Sequence, residues 1–378
     1  MLHSRRRSRL VSVIFFAMIA APALVGLFSY GPSGAIAALE NRAAAPSPSA
    51  PNTISDFNAA PRQIDAFLED RFGFRETLIA IHHWAIDQLS LGFGESKALI
   101  GEDGWLFLTD GGALDMHMGR TPFRAGEASA WLEAATDLRL ATGFSGATFA
   151  ILIAPQKATV YGEYLPDYIE AGRRPSRLDV LMAGAAERGL PFIDVKTPIL
   201  AEKNEAQLYY RSDTHWTARG AWLAYNALMD QLERDGVAAP RLDPQRVQFP
   251  ERDFSGDLAR MVNAKDRFAE LAPGLSIENA TPFTETDDDA YTFDAFKTRI
   301  ITTDATDKPT LLLIGDSYAN ALIPYLRESF SRIVFTHHQL GAFDRTVLDA
   351  YPSDVVVLEM VERMLVHPLA PPETTEAP

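Results

Sequence analysis

Two short stretches of this sequence hold residue types that can together transfer an acyl group. Asp213 and His215 stand two residues apart before a predicted helix, and Ser317 follows a predicted buried strand in Gly315-Asp316-Ser317. A serine hydroxyl becomes an effective nucleophile when an imidazole takes its proton, and a carboxylate can hold that imidazole in the required tautomer. We therefore predict Ser317 as nucleophile, His215 as base and Asp213 as orienting acid.

The elements around these residues predict an α/β fold with a mostly parallel central sheet. Apolar strands alternate with helices, and Ser317 directly follows the apolar run Leu311–Ile314. Ligands of such sheets bind at the carboxyl ends of the strands. At a turn into a helix, the backbone N–H of Ser317 is also a candidate oxyanion donor. Asp213 and His215 would project to the same side of an extended segment, and Thr217 would cap the helix that follows.

Composition excludes several other classes of function. The chain has no cysteine, which rules out disulfides, thiolate metal sites and a cysteine nucleophile. Its net charge of −15 argues against a nucleic-acid partner. His337-His338 has no acidic residue at ligand spacing, and His82-His83 lies in a predicted helix, where adjacent side chains point apart, so we expect no metal site. We also expect no cofactor.

The N-terminus indicates export. Four arginines within residues 1–9 precede the uncharged stretch Leu10–Tyr30, which is long enough to span a bilayer with its start in the cytoplasm. A cleaved signal peptide is the competing interpretation, because Ala35-Ile36-Ala37 fits a cleavage site. Either predicts a periplasmic protein, tethered to the inner membrane or released from it.

Four regions follow from the composition along the chain. We predict a membrane anchor at 1–30 and a flexible linker rich in Ala, Pro and Ser at 31–61. A catalytic domain is expected at 62–367, with an irregular, acidic insertion at 237–308, and a disordered tail at 368–378. Asp287-Asp288-Asp289 is expected in an exposed loop of the insertion.

The motifs also resemble a known family, the alginate O-acetyltransferase proteins AlgJ and AlgX. The resemblance covers roughly residues 60–365. Its core is Asp-x-His followed about a hundred residues later by Gly-Asp-Ser, the reverse of the order in ordinary SGNH hydrolases. The strings that carry it are Asp213-Thr214-His215-Trp216-Thr217, Gly220-Ala221, Gly315-Asp316-Ser317-Tyr318, Gly104-Trp105-Leu106-Phe107, Pro155-Gln156-Lys157, Val160-Tyr161, Ser255-Gly256-Asp257-Leu258 and Glu359-Met360-Val361-Glu362-Arg363.

The resemblance implies an SGNH-hydrolase-like three-layer domain of the single-domain AlgJ form, using the predicted triad. It implies a polysaccharide O-acetyltransferase that moves an acetyl group through an acetyl-Ser317 enzyme to hydroxyls of an exopolysaccharide, alginate or similar. It also implies a membrane-bound acyltransferase that delivers the acetyl group from the cytoplasm. Tyr318 stands where many relatives have Phe.

Four further residues are candidate substrate contacts, and each has a structural alternative. Lys157 follows a strand end, although a solvated surface lysine fits as well. Trp216 and Tyr318 could stack on sugar rings or pack in the core. Arg363 follows the last strand, where a structural salt bridge with Glu362 is the stronger interpretation.

Two other functions remain open at this point. A carbohydrate acetylesterase would run the same covalent chemistry with water as acceptor, and the sequence cannot separate the two. A non-catalytic subunit of an exopolysaccharide secretion complex is the second alternative, against which Asp213, His215 and Ser317 all argue.

Overall fold

The structure is a computed structural model that describes residues 45–48, 50–51, 53–70, 97–172, 174–293, 296–338, 340–343 and 345–369. The chain divides into two compact units, one of residues 1–97 and 257–267, the other of residues 98–256 and 268–378. The helices within the described ranges are α1 (Ile54–Asp70), α2 (Ala113–His117), α3 (Glu127–Phe144), α4 (Lys157–Val160), α5 (Arg177–Arg188), α6 (Lys196–Glu202), α7 (Ala218–Arg234), α8 (Asp257–Met261), α9 (Ile323–Leu326) and α10 (Thr346–Ala350).

The strands all belong to the second unit. Short two-stranded antiparallel sheets pair β1 with β2, β5 with β8, and β6 with β7. The strands are β1 (Ala98–Ile100), β2 (Leu106–Leu108), β3 (Thr148–Ala154), β4 (Phe192–Ile193), β5 (Val247–Gln248), β6 (Glu251–Phe254), β7 (Glu270–Pro273), β8 (Ser276–Ile277), β9 (Phe283–Phe293), β10 (Phe296–Thr303), β11 (Thr310–Gly315), β12 (Arg332–His337) and β13 (Val355–Val361).

The central sheet has seven strands in the order β4-β3-β13-β11-β12-β10-β9. Strands β4, β3, β13, β11 and β12 are parallel, whereas β10 is antiparallel to β12 and β9 is antiparallel to β10. The sheet is therefore mixed, because an antiparallel hairpin extends the predicted parallel part at one edge. That hairpin comes from the segment that we predicted to be irregular.

The sheet carries a core on each face, which gives the three-layer arrangement. Along β11, Leu311 and Leu313 pack into the core that contains the apolar face of α7, whereas Leu312 and Ile314 point into the other core. The second core includes the buried faces of α3 and α5. Alternation along a strand that is buried on both faces explains why β11 reads as one continuous apolar run.

The helix predicted to follow Thr217 is confirmed as α7, and Thr217 Oγ1 caps it by accepting a hydrogen bond from Gly220 N at 3.3 Å. The helix predicted after Ser317 is broken into a 3₁₀ turn at Ser317–Ala321 and the short α9. Pro324 lies in the first turn of α9, where a proline is tolerated because the N–H groups of that turn have no intrahelical partner.

The predicted irregular insertion at 237–308 is wrong in most of its length. It contains β5 to β10, and Asp287-Asp288-Asp289 lies inside β9 instead of in a loop. Ion pairs across the hairpin compensate the acidic side chains: Lys297 Nζ lies 2.9 Å from Asp289 Oδ1, and Arg299 Nε lies 2.6 Å from Glu285 Oε1. The charges that made this segment look like a loop are therefore paired along an edge strand.

Several predictions at the two ends of the chain lie outside the described residues: the stretch Leu10–Tyr30, about half of the linker 31–61 and nearly all of the tail 368–378. The prediction of a flexible linker is wrong at its C-terminal end, because α1 begins at Ile54. None of the helices within the described ranges combines the length and the apolar character that a bilayer-spanning segment needs.

Candidate active site

The side chains of Asp213, His215 and Ser317 form a continuous chain of hydrogen bonds. His215 Nδ1 lies 2.6 Å from Asp213 Oδ1, and His215 Nε2 lies 2.7 Å from Ser317 Oγ. A carboxylate accepts only, so Nδ1 carries the proton and Nε2 is left to accept one from Ser317. This is the tautomer that a serine nucleophile requires. Asp213 is buried, whereas Ser317 is exposed at the end of β11.

Asp213 reaches His215 through a bend instead of an extended segment. Asp213 Oδ1 also accepts a hydrogen bond from the backbone N–H of His215 at 3.0 Å. The carboxylate therefore fixes both the backbone and the ring of the histidine. The backbone of Gly256 packs against this turn, where a Cβ at Gly256 would lie 2.3 Å from Asp213 Cβ. Glycine at this position is what permits the close approach.

Lys157 holds the segment that carries the acid and the base. The side chain is only 4% exposed, and its Nζ donates to the carbonyl oxygens of Tyr210 at 3.0 Å and Arg211 at 3.1 Å, and to that of Asp213. The ammonium also lies 5.8 Å and 5.5 Å from the ring centroids of Trp105 and Phe107. A buried ammonium with these partners cannot reach a substrate in the open groove, so the predicted substrate contact of Lys157 is wrong.

Two acidic residues hold the turn that carries Ser317. Asp316 Oδ1 accepts from Tyr318 N and Asp316 Oδ2 from Val361 N, both at 2.8 Å. Beneath the turn, the fully buried Glu359 accepts from Asp316 N at 3.1 Å. Burial raises the pKa of Glu359 well above its ordinary value, and the nearby Asp316 carboxylate raises it further. Both effects disfavour the charged form of Glu359.

A glycine makes room for this buried acid. A Cβ at Gly315 would lie 2.8 Å from Glu359 Oε2 and 2.8 Å from Ala319 Cβ. The Gly of Gly-Asp-Ser thus serves close packing beneath the turn. The backbone N–H of Ser317 has no hydrogen-bond partner within the described residues, which leaves it available as the predicted oxyanion donor.

Trp216 and Tyr318 join the two segments to each other. Trp216 Nε1 donates to the carbonyl oxygen of Tyr318 at 3.2 Å, and the Tyr318 hydroxyl donates to the carbonyl oxygen of Thr214. Both side chains are 1% exposed, so neither offers a ring face to a sugar. Their predicted role as stacking platforms is wrong, and core packing, the alternative interpretation, is what the structure shows.

Arg363 lies behind the triad and not in the open groove. With Lys157, Gln156 and Tyr318 it lines a cavity of about 20 Å³, and its guanidinium lies 5.7 Å from the Tyr318 ring centroid. A space of this size suits one water and not a sugar, so we do not carry the predicted substrate contact forward. The expected salt bridge with Glu362 is also absent from the described residues.

Glu362 instead accepts hydrogen bonds within the core. Its Oε2 accepts from Gln156 N at 3.1 Å and from Thr159 Oγ1 at 2.6 Å. Burial is the main cause that raises the pKa of this carboxyl. Glu362 and Arg363 therefore do not form a surface ion pair; Glu362 is buried and bonded within the core, and Arg363 lines the small cavity behind the triad.

Ser317 and His215 open onto a groove of about 570 Å³. One wall comes from the segments at Tyr210–Ala218 and Ser317–Pro324, and the other from β6 and the chain at Ala272–Leu275. Glu270, on β7, fastens this second wall to the triad segment, because its carboxylate accepts from Ser212 N at 2.8 Å, Ser212 Oγ at 2.6 Å and Arg211 N at 3.0 Å. The insertion thus forms one side of the site.

Several residues of the site were not predicted from the sequence. Asn320 lines the groove, donates to Ser317 O at 3.2 Å, and is oriented by Arg299, whose Nη1 donates to Asn320 Oδ1 at 2.7 Å. Tyr210 and Phe254 stack beside it with ring centroids 3.8 Å apart. The position of Asn320, three residues after Ser317, could have indicated that it lies near the site. Tyr210 and Phe254 are far apart in the sequence and come together only in the fold, so no sequence pattern indicated their contact.

Solved structures of other proteins share this fold. A DHHW family protein from Eubacterium siraeum is 19% identical, with a TM-score of 0.51, covering 73% of this chain and 94% of that one. PatB1 of Bacillus cereus, solved with a sulfonyl adduct, is 15% identical with a TM-score of 0.52, covering 70% and 94%. At these identities the likeness shows the fold alone.

Sequence comparison identifies the family. The probable alginate O-acetylase AlgJ of Pseudomonas putida is 29% identical over 131 residues, which is 34% of this chain and 34% of that protein. The chain thus spans about a third of the length of that curated relative. The profile of the SGNH hydrolase-like domain of the acetyltransferase AlgX matches residues 98–354, more than half of the chain and both segments of the triad. This chain therefore belongs to the AlgJ/AlgX-like family of SGNH hydrolase-like acetyltransferase domains.

Proposed function

We propose that this chain transfers an acetyl group through Ser317 to a hydroxyl group of an exopolysaccharide. The observation that carries the proposal is the unbroken relay from Asp213 through His215 to Ser317, with Ser317 exposed to an open groove. The family is one of acetyltransferases, and the relative AlgJ is named a probable alginate O-acetylase. The proposal does not include alginate as the acceptor of this protein.

The first half-reaction acylates the enzyme. Ser317 Oγ attacks the carbonyl carbon of an acetyl donor as its proton passes to His215 Nε2. The Ser317 N–H stabilises the oxyanion, and Asp213 stabilises the imidazolium through Nδ1–H. The bond to the leaving group then breaks, the leaving group takes the proton from Nε2, and acetyl-Ser317 remains.

The second half-reaction repeats these steps with a sugar. A sugar hydroxyl gives its proton to His215 Nε2 as its oxygen attacks the acetyl carbonyl. The tetrahedral intermediate collapses, the bond to Ser317 Oγ breaks, and the proton on Nε2 returns to that oxygen. The products are an O-acetylated sugar and free Ser317. An esterase would follow the same path with water in place of the sugar.

Location and donor are part of the proposal. The arginines and the apolar stretch of the N-terminus support a periplasmic site of action, attached to the inner membrane or released from it. A periplasmic enzyme has no ready supply of acetyl-CoA, so we propose a membrane-bound acyltransferase as the source of the acetyl group.

The test follows the acetyl group in two steps. The purified protein is treated with an activated acetyl ester, and the Ser317 peptide is examined by mass spectrometry before and after a sugar oligomer is added. We expect one acetyl group on Ser317 and its passage to the oligomer, and neither with Ser317→Ala. Ser145→Ala, at the end of α3, is the matched control and should behave as the unaltered protein.

Two results would overturn parts of this proposal. Acetate release without any acetylated oligomer would favour the esterase. No acetyl group on Ser317, or unchanged polymer acetylation in cells that carry Ser317→Ala, would show that Ser317 is not the nucleophile and would favour the non-catalytic subunit.

A further inference from the structure

We infer that the groove beside Ser317 binds an uncharged sugar chain as its acceptor and discriminates against polyuronates. This inference rests on the proposed function, since it names the acceptor class of the same site. It is carried by the charges that line the groove and by an aromatic pair in its wall.

The groove has no surplus of positive charge. Among the described residues that line it, the ionisable side chains are those of Asp213, His215, Arg252, Asp253 and Tyr210. Asp213 is engaged by His215, and a neutral His215 contributes no charge. Arg252 and Asp253 cancel, and the Asp213 carboxylate keeps its negative charge, so these side chains carry no net positive charge.

Arg252 is also partly committed to the backbone. Its Nη2 donates to the carbonyl oxygen of Leu275 at 2.9 Å, and its side chain lies along Gly274, where a Cβ would meet Arg252 Cδ at 2.6 Å. The absence of a side chain at Gly274 leaves room for the arginine to lie along its own wall. An arginine used in this way has fewer donors left for a carboxylate in the groove.

A polyuronate brings one carboxylate with every sugar, so several would have to lose water near Asp253. Burial of unpaired charges is costly, and the net charge of −15 on the whole chain adds a repulsive field. An uncharged chain avoids both terms. The groove volume of about 570 Å³ lies in the range typical of small-molecule sites and suits a short stretch of sugars.

The wall offers what an uncharged sugar needs. Tyr210 and Phe254 are half-buried and stacked, with an interplanar angle of 18°, and together they present apolar ring surface to the groove. Sugar rings have C–H faces that pack on such surfaces, while Asn320 supplies a neutral hydrogen-bonding group beside Ser317.

The decisive experiment measures binding without turnover. Full-length Ser317→Ala protein is titrated with a neutral glucan oligomer and with an oligomannuronate of the same length, at equal ionic strength. We expect the neutral oligomer to bind at least about tenfold more tightly. Equal or tighter binding of the oligomannuronate would overturn the inference.

Two groove variants in the same background sharpen the result. Asp253→Lys should raise oligomannuronate affinity several-fold, whereas Asp307→Lys, an equal charge change at an exposed site that does not line the groove, should not. Phe254→Ala should weaken neutral-oligomer binding several-fold, and Phe144→Ala, at a 91% exposed residue outside the groove, should not. Unchanged binding in both groove variants would contradict the assignment.

Failure of this inference differs from failure of the proposed function. The binding assay uses a protein without its nucleophile, so it ranks acceptors whether or not transfer occurs. Acetylated oligomannuronate as the preferred product would leave the transferase standing and remove the acceptor class. Tight binding of the neutral oligomer without acetyl transfer would support the acceptor class and contradict the proposed transferase function.

Discussion

The two chain segments that carry the triad are held in place by opposite charges. The segment with Asp213 and His215 offers carbonyl oxygens to a buried cation, Lys157. The turn with Ser317 offers N–H groups to Asp316 and Glu359. Each support therefore supplies hydrogen-bond partners of the type that the backbone groups of its own segment need.

The two supports differ in electrostatic cost. Lys157 has carbonyl dipoles and two aromatic rings around its buried charge. The raised pKa of Glu359 favours its neutral form, which lacks the cost of a buried charge. We therefore expect replacement of Lys157 by an uncharged residue to disturb the site more than replacement of Glu359 by glutamine.

Lys157→Met is expected to give the largest effect. It removes the Nζ donor from three carbonyl oxygens, of which that of Arg211 keeps another donor, Leu106 N, and this should lower the free energy of unfolding by about 3 kcal/mol. Displacement of His215 should lower kcat on the order of 100-fold, since an error of about 1 Å in a catalytic group is enough for that loss. Steady-state kinetics with an activated acetyl ester would show kcat falling with KM nearly unchanged.

Lys203→Met is the matched control for this change. Lys203 also donates to a backbone carbonyl, that of Val160 at 2.7 Å, and lies 5.7 Å from the Tyr161 ring centroid. It has no bond to the triad segment, so this variant should lose some stability and keep its kcat. Equal kcat values for the two variants would show that Lys157 does not position the site.

Asp316→Asn should have the next largest effect. Asparagine keeps one acceptor oxygen but turns an NH₂ group toward either Tyr318 N or Val361 N, so one donor loses its partner. We expect a loss of about 1–3 kcal/mol in unfolding free energy. We also expect kcat to fall about tenfold as the Ser317 turn loosens.

Asp354→Asn provides the comparison at the opposite end of the same strands. Asp354 Oδ2 accepts from Thr310 N at 2.7 Å and from Thr310 Oγ1 at 2.8 Å, far along β11 from Ser317. Thermal unfolding should show a loss in both variants, whereas only Asp316→Asn should change kcat. A fall in kcat with Asp354→Asn would mean that general loosening of the sheet explains both.

The sequence could predict the three residues of the candidate triad but not the residues that support them. Asp213, His215 and Ser317 could be predicted as candidates because the proposed acid, base and nucleophile each need a particular residue type at a strand end or a helix start. The parallel strands and α7 followed from apolar patterning. Lys157 was misjudged because its partner Asp213 is 56 residues away, and a lysine after a strand looks the same in sequence whether solvated or buried.

The prediction of an irregular insertion at 237–308 was wrong for a related reason. Acidic residues have low strand propensity, and β9 gains its stability from pairing with β10 and from ion pairs that only the hairpin register creates. The groove wall formed by β6 likewise depends on Glu270 meeting Ser212, 58 residues earlier. Local patterns carry no record of such contacts.

Glu359→Gln should have the smallest effect on activity and a distinct effect on pH dependence. Glutamine retains an acceptor for Asp316 N, so kcat should stay within about twofold. In the unaltered protein, the folded state holds the Glu359 proton to a higher pH than the unfolded chain does. Stability from this group is therefore full below the ordinary glutamate pKa and is lost as pH rises toward the folded pKa.

Glu359→Gln removes that titration, so its unfolding free energy, measured by urea denaturation between pH 5 and pH 8, should fall less steeply with pH. Some slope should remain, because burial also raises the pKa of Glu362, and the double variant with Glu362→Gln should be flatter still. An unchanged slope in Glu359→Gln would mean that Glu359 is already ionised in the folded protein. The Ser317 turn would then rest on a buried anion, and its support would carry an electrostatic cost comparable to that of Lys157.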